Sequence, residues 1–463
     1  MSFLICLGAL AFLMFVAYRG YSVILFAPVA ALGAVLLTDP AAVPVIYSGL
    51  FMDKMVGFIK LYFPLFLLGA VFGKVIELSG FSRAIVSALI GLLGPGQAVL
   101  AIVLVGAVLT YGGVSLFVVV FAVYPFGAEL FRQVGIPKRL LPAAIALGAF
   151  SFTMDTLPGT PQIQNIIPTT FFGTTAYAAP ILGLIGTAFI LVTGLGYLNF
   201  RRLQAAKAGE GYGESHVNEP EARADEAKVN PFIAISPLIV VGLANLALGR
   251  VIPLVYGETA RVALTPGAAE VSLAVNSVTA IWAVAGALLL GILTVFLFAY
   301  RRVASQFADG SRAAVSGALL AGLNTASEYG FGAVIAALPG FLVIKSALSA
   351  IPNPLVNEAI SITTLAGITG SASGGLSIAL AAMSEQFISA ANAACIPMEV
   401  MHRVAAMASG GMDTLPHNGA VITLLAVCGL THRQSYGDIF AITLIKTTAV
   451  FFVIAVYYLT GLV

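Results

Sequence analysis

The chain has 463 residues, 60% of them hydrophobic and only 9% charged, with a mean hydropathy of +1.02. A soluble domain carries about 25% charged residues, so a water-exposed globular surface is excluded. The net charge of +2 gives no electrostatic support for a nucleic-acid partner.

Apolar runs close to the ~17–25 residues that match bilayer hydrocarbon follow one another along the chain. Residues 3–18 and 21–38 form a first pair. No basic residue precedes the first run and Arg19 follows it. That predicts a retained helix with its C-terminal end at the cytoplasm, not a signal peptide. Runs at 61–78, 97–110, 113–130 and 178–199 complete the first half, with interrupted stretches at 83–93, 138–153 and 159–172. The second half has runs at 232–250, 277–299, 329–350, 355–370, 374–395 and 437–460, with shorter ones at 314–326, 398–411 and 417–430. Residues 47–60 and 301–313 mix charged and apolar positions and are expected along the interface.

Between the halves lies the one long polar stretch, 200–230, which holds 11 of the 42 charged residues. It has no apolar face to bury and reads as a disordered linker. Arg201 and Arg202 directly follow one span, and Arg301 and Arg302 another, so both points are expected at the cytoplasm. Residues 251–276 are then external. The chain divides into an N-terminal transmembrane repeat (1–199), the cytoplasmic linker (200–230) and a C-terminal repeat (231–463).

The halves share motifs in the same order. GGVS (Gly112–Ser115) precedes MDTLP at Met154–Pro158, and GGLS (Gly374–Ser377) precedes MDTLP at Met412–Pro416. An Ile-Pro lies between the two motifs in each half, at Ile136-Pro137 and Ile396-Pro397, and ELSGF (Glu77–Phe81) weakly matches EYGF (Glu328–Phe331). If an odd number of crossings separates equivalent points, the repeat is inverted, a recurring plan of secondary transporters.

Each MDTLP places an aspartate and a proline in apolar surroundings. An aspartate facing lipid at a helix centre costs about 2.5–3.5 kcal/mol, so Asp155 and Asp413 should face protein or a watered cavity. Proline breaks the helix, and unwound backbone is tolerated at membrane depth only where it is buried or lines a cavity. Broken ends offer free N–H groups to an anion. The simpler reading is a proline kink whose Asp or Thr caps the new helix. For the Gly/Ser motifs it is close packing of helices through small residues. The matched copies favour a central site. Candidate substrate contacts are the expected hairpin tips (Gly112, Gly113 and Ser115; Ser373, Gly374, Gly375 and Ser377), with Thr156, Thr160, Thr414 and Asn418. Candidate proton-handling residues are Asp155, Asp413, His417 and Glu328, with Glu77 and Glu385 also in or near apolar runs. His402 and His432 adjoin arginines and are expected at the interface.

Cys6, Cys395 and Cys428 are far apart and offer no metal-ligand spacing. No GxxxxGK[ST], HExxH, paired CxxC or GxSxG occurs, so neither ATP-driven transport nor a metal or serine hydrolase is supported, and no cofactor is expected.

Over nearly its whole length the chain resembles the gluconate:proton symporter (GntP) family of the ion-transporter superfamily. The resemblance rests on the N-terminal helix pair, the central hydrophilic loop, the segment NSVTAIWAVAGALLLGILTVFLFAYRR and the two repeats. FTMDTLPGTPQIQN and ASGGMDTLPHNGAVITLLAVCGLTHRQSYGDIF look most like the D-β-hydroxybutyrate permease branch. The gluconate branch has a histidine-rich proline sequence where this chain has Met154–Pro161. The resemblance implies an all-α polytopic membrane protein of two inverted repeats, each with a re-entrant hairpin and a broken helix, in about 11–14 membrane segments. It further implies a commonly homodimeric scaffold, elevator-like movement, and proton-coupled import of a small hydroxy-monocarboxylate across the inner membrane. A sodium-coupled di- or tricarboxylate symporter of the same superfamily stays open, as does a non-transporting membrane sensor or enzyme.

Overall fold

The computed structural model describes residues 2–19, 21–114, 116–213, 219, 229–263, 265, 270–343, 351–416 and 418–463. Among the described residues, five helical stretches are long and apolar enough to cross a membrane: Pro40–Leu78, Pro180–Lys207, Pro231–Tyr256, Thr279–Ala304 and His432–Thr460. Around them the chain forms the expected all-α polytopic fold.

The first repeat begins with α1 (Ser2–Tyr18) and α2 (Val23–Thr38), then α3 (Met52–Leu78) and α4 (Phe81–Leu93). A hairpin of α5 (Ala98–Tyr111) and α6 (Leu116–Gln133) follows. Then come the short helices α7 (Leu141–Ala149) and α8 (Ile163–Phe172), and the long α9 (Pro180–Lys207). In the second half, α10 (Pro231–Tyr256), α11 (Thr279–Ala304) and α12 (Phe307–Ala337) precede a hairpin of α13 (Pro354–Thr369) and α14 (Ala372–Ala393). The short pair α15 (Met398–Ser409) and α16 (Gly419–Cys428) and the long α17 (His432–Thr460) close the chain. Each half thus runs hairpin, broken helix, long helix.

Helix lengths dictate this pairing. A helix as short as α7 rises only ~14 Å, half of the ~30 Å hydrocarbon core, so α7/α8 and α15/α16 each serve as one interrupted element. Their positions match in detail. The first turns begin beyond Gly135 (φ +67) and Cys395 (φ +53), each followed by the Ile-Pro, and the half-helices end at Gly173 (φ +64) and Gly429 (φ +62). Every residue of α7 and every residue from Val400 to Ser409 in α15 is buried. The all-apolar α7 is stable only when enclosed by protein or lipid, and here protein encloses it; α15 is buried as well, with His402 and Arg403 held by internal partners.

The helix α12 packs on α2, α3 and α14, α11 packs on α3 and α10, and α9 packs on α17. The hairpin α13/α14 and the helix α15 contact each other, and α15 also contacts α8 of the first repeat. Small residues set the spacing, as expected between helices in lipid: Gly375 lies directly on the α13 backbone at Ala366.

Four findings depart from or add to the expectations. The match of ELSGF with EYGF does not hold, because Glu77 ends α3 whereas Glu328 lies inside the unbroken α12. Residues 307–326, expected as an interfacial stretch and a separate short run, belong to that same helix; they are alanine-rich, and alanine has the highest helix propensity. The segment 251–276, expected to be external, carries a two-stranded antiparallel ribbon, β1 (Thr259–Val262) on β2 (Val271–Ala274). Within 200–230, Glu210, Tyr212 and Glu219 are tied down. Arg139 pairs with Glu210 at 2.7 Å, and the buried Lys138 pairs with Glu219 at 2.8 Å and donates its N–H to the Tyr212 carbonyl. The Arg139 guanidinium holds the Glu210 carboxyl below its usual range. Residues 214–218 and 220–228 lie outside the described residues.

Candidate functional site

The hairpin tips are built by glycines that accept left-handed backbone. Gly113 has φ +92, and Gly370, which ends α13, has φ +65. The second hairpin therefore turns at Gly370–Ser371, not at Ser373–Ser377. Ser371 caps α14 by accepting the Gly374 N–H, which puts Ser373, Gly374, Gly375 and Ser377 in the first turns of that helix. With this register Gly113 precedes Met154 by 41 residues and Gly370 precedes Met412 by 42.

Each tip is tied to the broken helix of its own repeat by a side-chain amide. Gln162 donates from Nε2 to the Thr110 carbonyl at 2.8 Å, and Asn418 from Nδ2 to the Gly370 carbonyl at 2.6 Å. These residues are also the N-caps of α8 and α16, so both breaks and both tips meet around one centre.

At that centre four buried charges converge: Asp155, Arg403, Asp413 and Lys446. Lys446 on α17 donates to Asp413 Oδ1 at 2.6 Å and to the Phe150 carbonyl at 3.0 Å. Arg403 on α15 donates to the carbonyls of Ala178 (2.7 Å) and Asp155 (3.1 Å) and to Asn165 Oδ1 (3.1 Å). The Asp155 carboxylate accepts from the Thr156 hydroxyl at 2.6 Å and lies against Gly410 so closely that a Cβ there would overlap Oδ2. Ionised together, the four carry no net charge, which suits a site removed from water. Both cations come from the second repeat and satisfy carbonyls freed by the break in the first.

Asn165 organises the same region. Its Nδ2 donates to the carbonyls of Thr160 (3.0 Å) and Ala176 (2.8 Å), so its Oδ1 accepts from Arg403 and from His402 Nε2. That tautomer is fixed by the network and leaves Nδ1 to accept from the Thr174 hydroxyl at 2.6 Å. His402 is therefore fully buried, contrary to the interfacial expectation, while His432 is exposed and donates to the Pro416 carbonyl.

Beside the charged centre opens a cavity of about 830 Å³. Both broken helices reach it (Gln162, Gln164, Asp413, Asn418), as do both tips (Gly113, Ser371) and α12 (Asn324, Glu328); the exposed Lys74–Glu77 pair, at 3.0 Å, stands at its rim. Three wall residues keep a buried acceptor with no partner among the described residues: Gln164 Oε1, Asn324 Oδ1 and Glu328 Oε2. An unmet buried polar atom costs roughly 1–3 kcal/mol. Glu328 bonds the Ser371 hydroxyl and lies on the start of α14, where a Cβ on Gly374 would overlap its carboxylate. No cation pairs with it among the described residues.

Of the residues singled out in the sequence, Gly113, Ser373, Glu328, Asp413, Thr414 and Asn418 line this cavity. Thr414 shares a 2.6 Å hydrogen bond with Thr443. Asp155, Thr156 and Thr160 are buried behind the wall, Gly112 packs on Leu238 of α10, Gly375 on α13, and Ser377 is fully buried. Ser115 and His417 lie outside the described residues. Glu77 is paired with Lys74 at the rim, and Glu385 is exposed on α14. Lys446, Arg403 and Gln164 were not among the candidates. The signal for Lys446 is a lone lysine in the apolar run 439–457; an intramembrane charge is a functional candidate by default.

A polytopic helical bundle with two broken helices and two re-entrant tips closing on a polar midpoint defines a membrane transporter. The comparisons agree. The chain is 58% identical over 473 residues, spanning 100% of both, to the uncharacterized transporter YxjC of Bacillus subtilis (strain 168). It belongs to that transporter family. A solved structure with a similar fold is the YdaH transporter of Alcanivorax borkumensis, described as having an unusual topology, with TM-score 0.52, 16% identity, and 92% of this chain and 90% of that one covered. No protein-family profile matches the chain.

Proposed function

We propose that the protein imports a small hydroxy-monocarboxylate together with protons, as a symporter of the gluconate:proton symporter kind in the cell's inner membrane. One observation carries this reading: three acceptors in the cavity wall have no donor among the described residues. Gln164, Asn324 and Glu328 each present an unmet acceptor there. A substrate hydroxyl supplies a donor to an amide oxygen, and a proton supplies one to Glu328. An organic anion cannot share the cavity with an uncompensated carboxylate, since like charges repel strongly where water is scarce. Asp413 already has Lys446; Glu328 has no such partner, so substrate binding and protonation of Glu328 favour each other. That mutual preference is the thermodynamic content of symport.

Glu328 also bridges two bodies. It belongs to α12, which packs on α2 and α3, and it touches the tip of the α13/α14 hairpin. Elevator-like movement of the hairpins and broken helices against α1–α3 and α10–α12 would have to break this contact, and protonation weakens it. A homodimer joined through the second of these bodies fits the same scheme.

The test is uptake into proteoliposomes under an imposed pH gradient, with and without sodium. Acid-outside conditions should drive accumulation without sodium. Glu328→Gln should abolish that drive while leaving exchange of internal for external substrate. Uptake that needs sodium and ignores the pH gradient overturns proton coupling. Binding without flux would identify a sensor.

A further inference from the structure

The two half-helix starts that face the cavity differ in one respect. In α16 the N-cap Asn418 turns its Oδ1 back and accepts from the N–H groups of Ala420 (2.7 Å) and Val421 (3.0 Å). In α8 the N-cap Gln162 makes no such bond, because its side chain is spent on the hairpin carbonyls of Thr110 and Val114. The Gln164 N–H, whose counterpart Ala420 is capped, therefore donates to nothing among the described residues, and neither does the Ile163 N–H beside it. Gln164 lies in that same first turn. It is only 7% exposed, lines the cavity, and its Oε1 is one of the unmet acceptors. Free donors and a free acceptor thus stand side by side at the start of a ten-residue helix.

We propose that this end of α8, not its counterpart on α16, is the docking point for the substrate. The carboxylate takes the N–H groups of Ile163 and Gln164, and the hydroxyl donates to Gln164 Oε1. An anion at an open helix start is favoured by both the unpaired N–H groups and the dipole. A hydroxyl a few bonds from the carboxylate meets the acceptor on the same turn. Gln164 then becomes the residue that separates a hydroxy acid from the plain acid, because a buried acceptor left without a donor penalises the wrong substrate. This inference rests on the hydroxy-monocarboxylate reading above.

The experiment compares 3-hydroxybutyrate with butyrate as competing substrates in proteoliposomes. The unaltered protein should prefer 3-hydroxybutyrate. Gln164→Met, which keeps length and removes the acceptor, should reduce the ratio of 3-hydroxybutyrate to butyrate uptake by about 5–30-fold. No preference in the unaltered protein overturns the hydroxy-acid reading itself. A preference that survives Gln164→Met overturns only the docking point. A second variant, Gln162→Asn, gives α8 the cap that α16 already has and closes the Gln164 N–H, the counterpart of the capped Ala420 N–H. It should weaken both acids about tenfold or more without changing their ratio. Unchanged affinity for both, measured by ligand-induced thermal shift on the purified protein, also overturns the proposal.

Discussion

Lys446→Met is the most informative single change. Lys446 Nζ, 3% exposed, holds two partners at once, Asp413 Oδ1 at 2.6 Å and the Phe150 carbonyl at 3.0 Å. Removing one member of a buried ion pair leaves the other charge uncompensated and costs about 3–5 kcal/mol. Adding Asp413→Asn removes that charge, so most of the loss should return. It should not all return, because the Phe150 carbonyl still lacks its donor, a deficit of roughly 1–3 kcal/mol. The expected order of thermal midpoints in detergent is therefore unaltered protein, double variant, Lys446→Met. Asp413→Asn alone should fall below the double variant, since it strands the lysine. A Lys446→Met protein as stable as the unaltered one, or a double variant less stable than both singles, would refute the assignment of these two residues as a structural charge pair.

Other expectations concern the glycines, the surface and the coupling. Gly410→Ala drives a methyl into the Asp155 carboxylate and should cost about 1–3 kcal/mol together with transport. Gly419→Ala, with nothing within 4 Å of the added Cβ, should leave both intact; equal behaviour of the two in uptake assays would contradict the close approach at Gly410. For Glu210, the Arg139 guanidinium depresses the folded-state pKa, so the stabilisation it gives is complete at neutral pH and disappears as pH falls through that lowered value. Its side chain is 40% exposed, so Glu210→Gln should lower stability by no more than ~1 kcal/mol, an effect erased by high salt; a larger loss at neutral pH would mean the loop does more than cover the surface. Asn418→Ala should destabilise the second tip by removing both the cap and the Gly370 bond, seen as faster proteolysis between residues 410 and 420.

The duplicated MDTLP and the low charge were enough to locate the two broken helices and to call for a protein-lined environment around them. Periodicity could not align the tips. GGVS and GGLS look alike, but a hairpin turns where backbone can adopt positive φ and a serine can cap the next helix, which selects Gly370–Ser371 in the second copy. The partners of the two buried cations, the Asp413 carboxylate and the Asp155 backbone carbonyl, were also hidden. Lys446 is 33 residues from Asp413 and Arg403 is 248 from Asp155, and these lie in no shared motif. The first contact forms as α17 packs back within the second repeat, and the second forms only when the second repeat folds onto the first. His402 and Arg403 were misread for a related reason: adjacent polar residues suggest a membrane surface unless one knows that Asn165, Thr174 and Ala178 wait for them inside.

The Lys446–Phe150 bond spans 296 residues, and this orders events during synthesis. Translation at about 5–20 residues per second separates the appearance of Phe150 from that of Lys446 by roughly 15–60 s. For that interval the opened backbone at Phe150, Asp155 and Ala178 has been made, but the cations that satisfy it have not. The nascent first half must wait at the translocon with those carbonyls turned to water, to lipid headgroups or to an insertion factor. Truncation after α9 should therefore yield a product that quality-control proteases remove, while supplying the second half as a separate chain should rescue it.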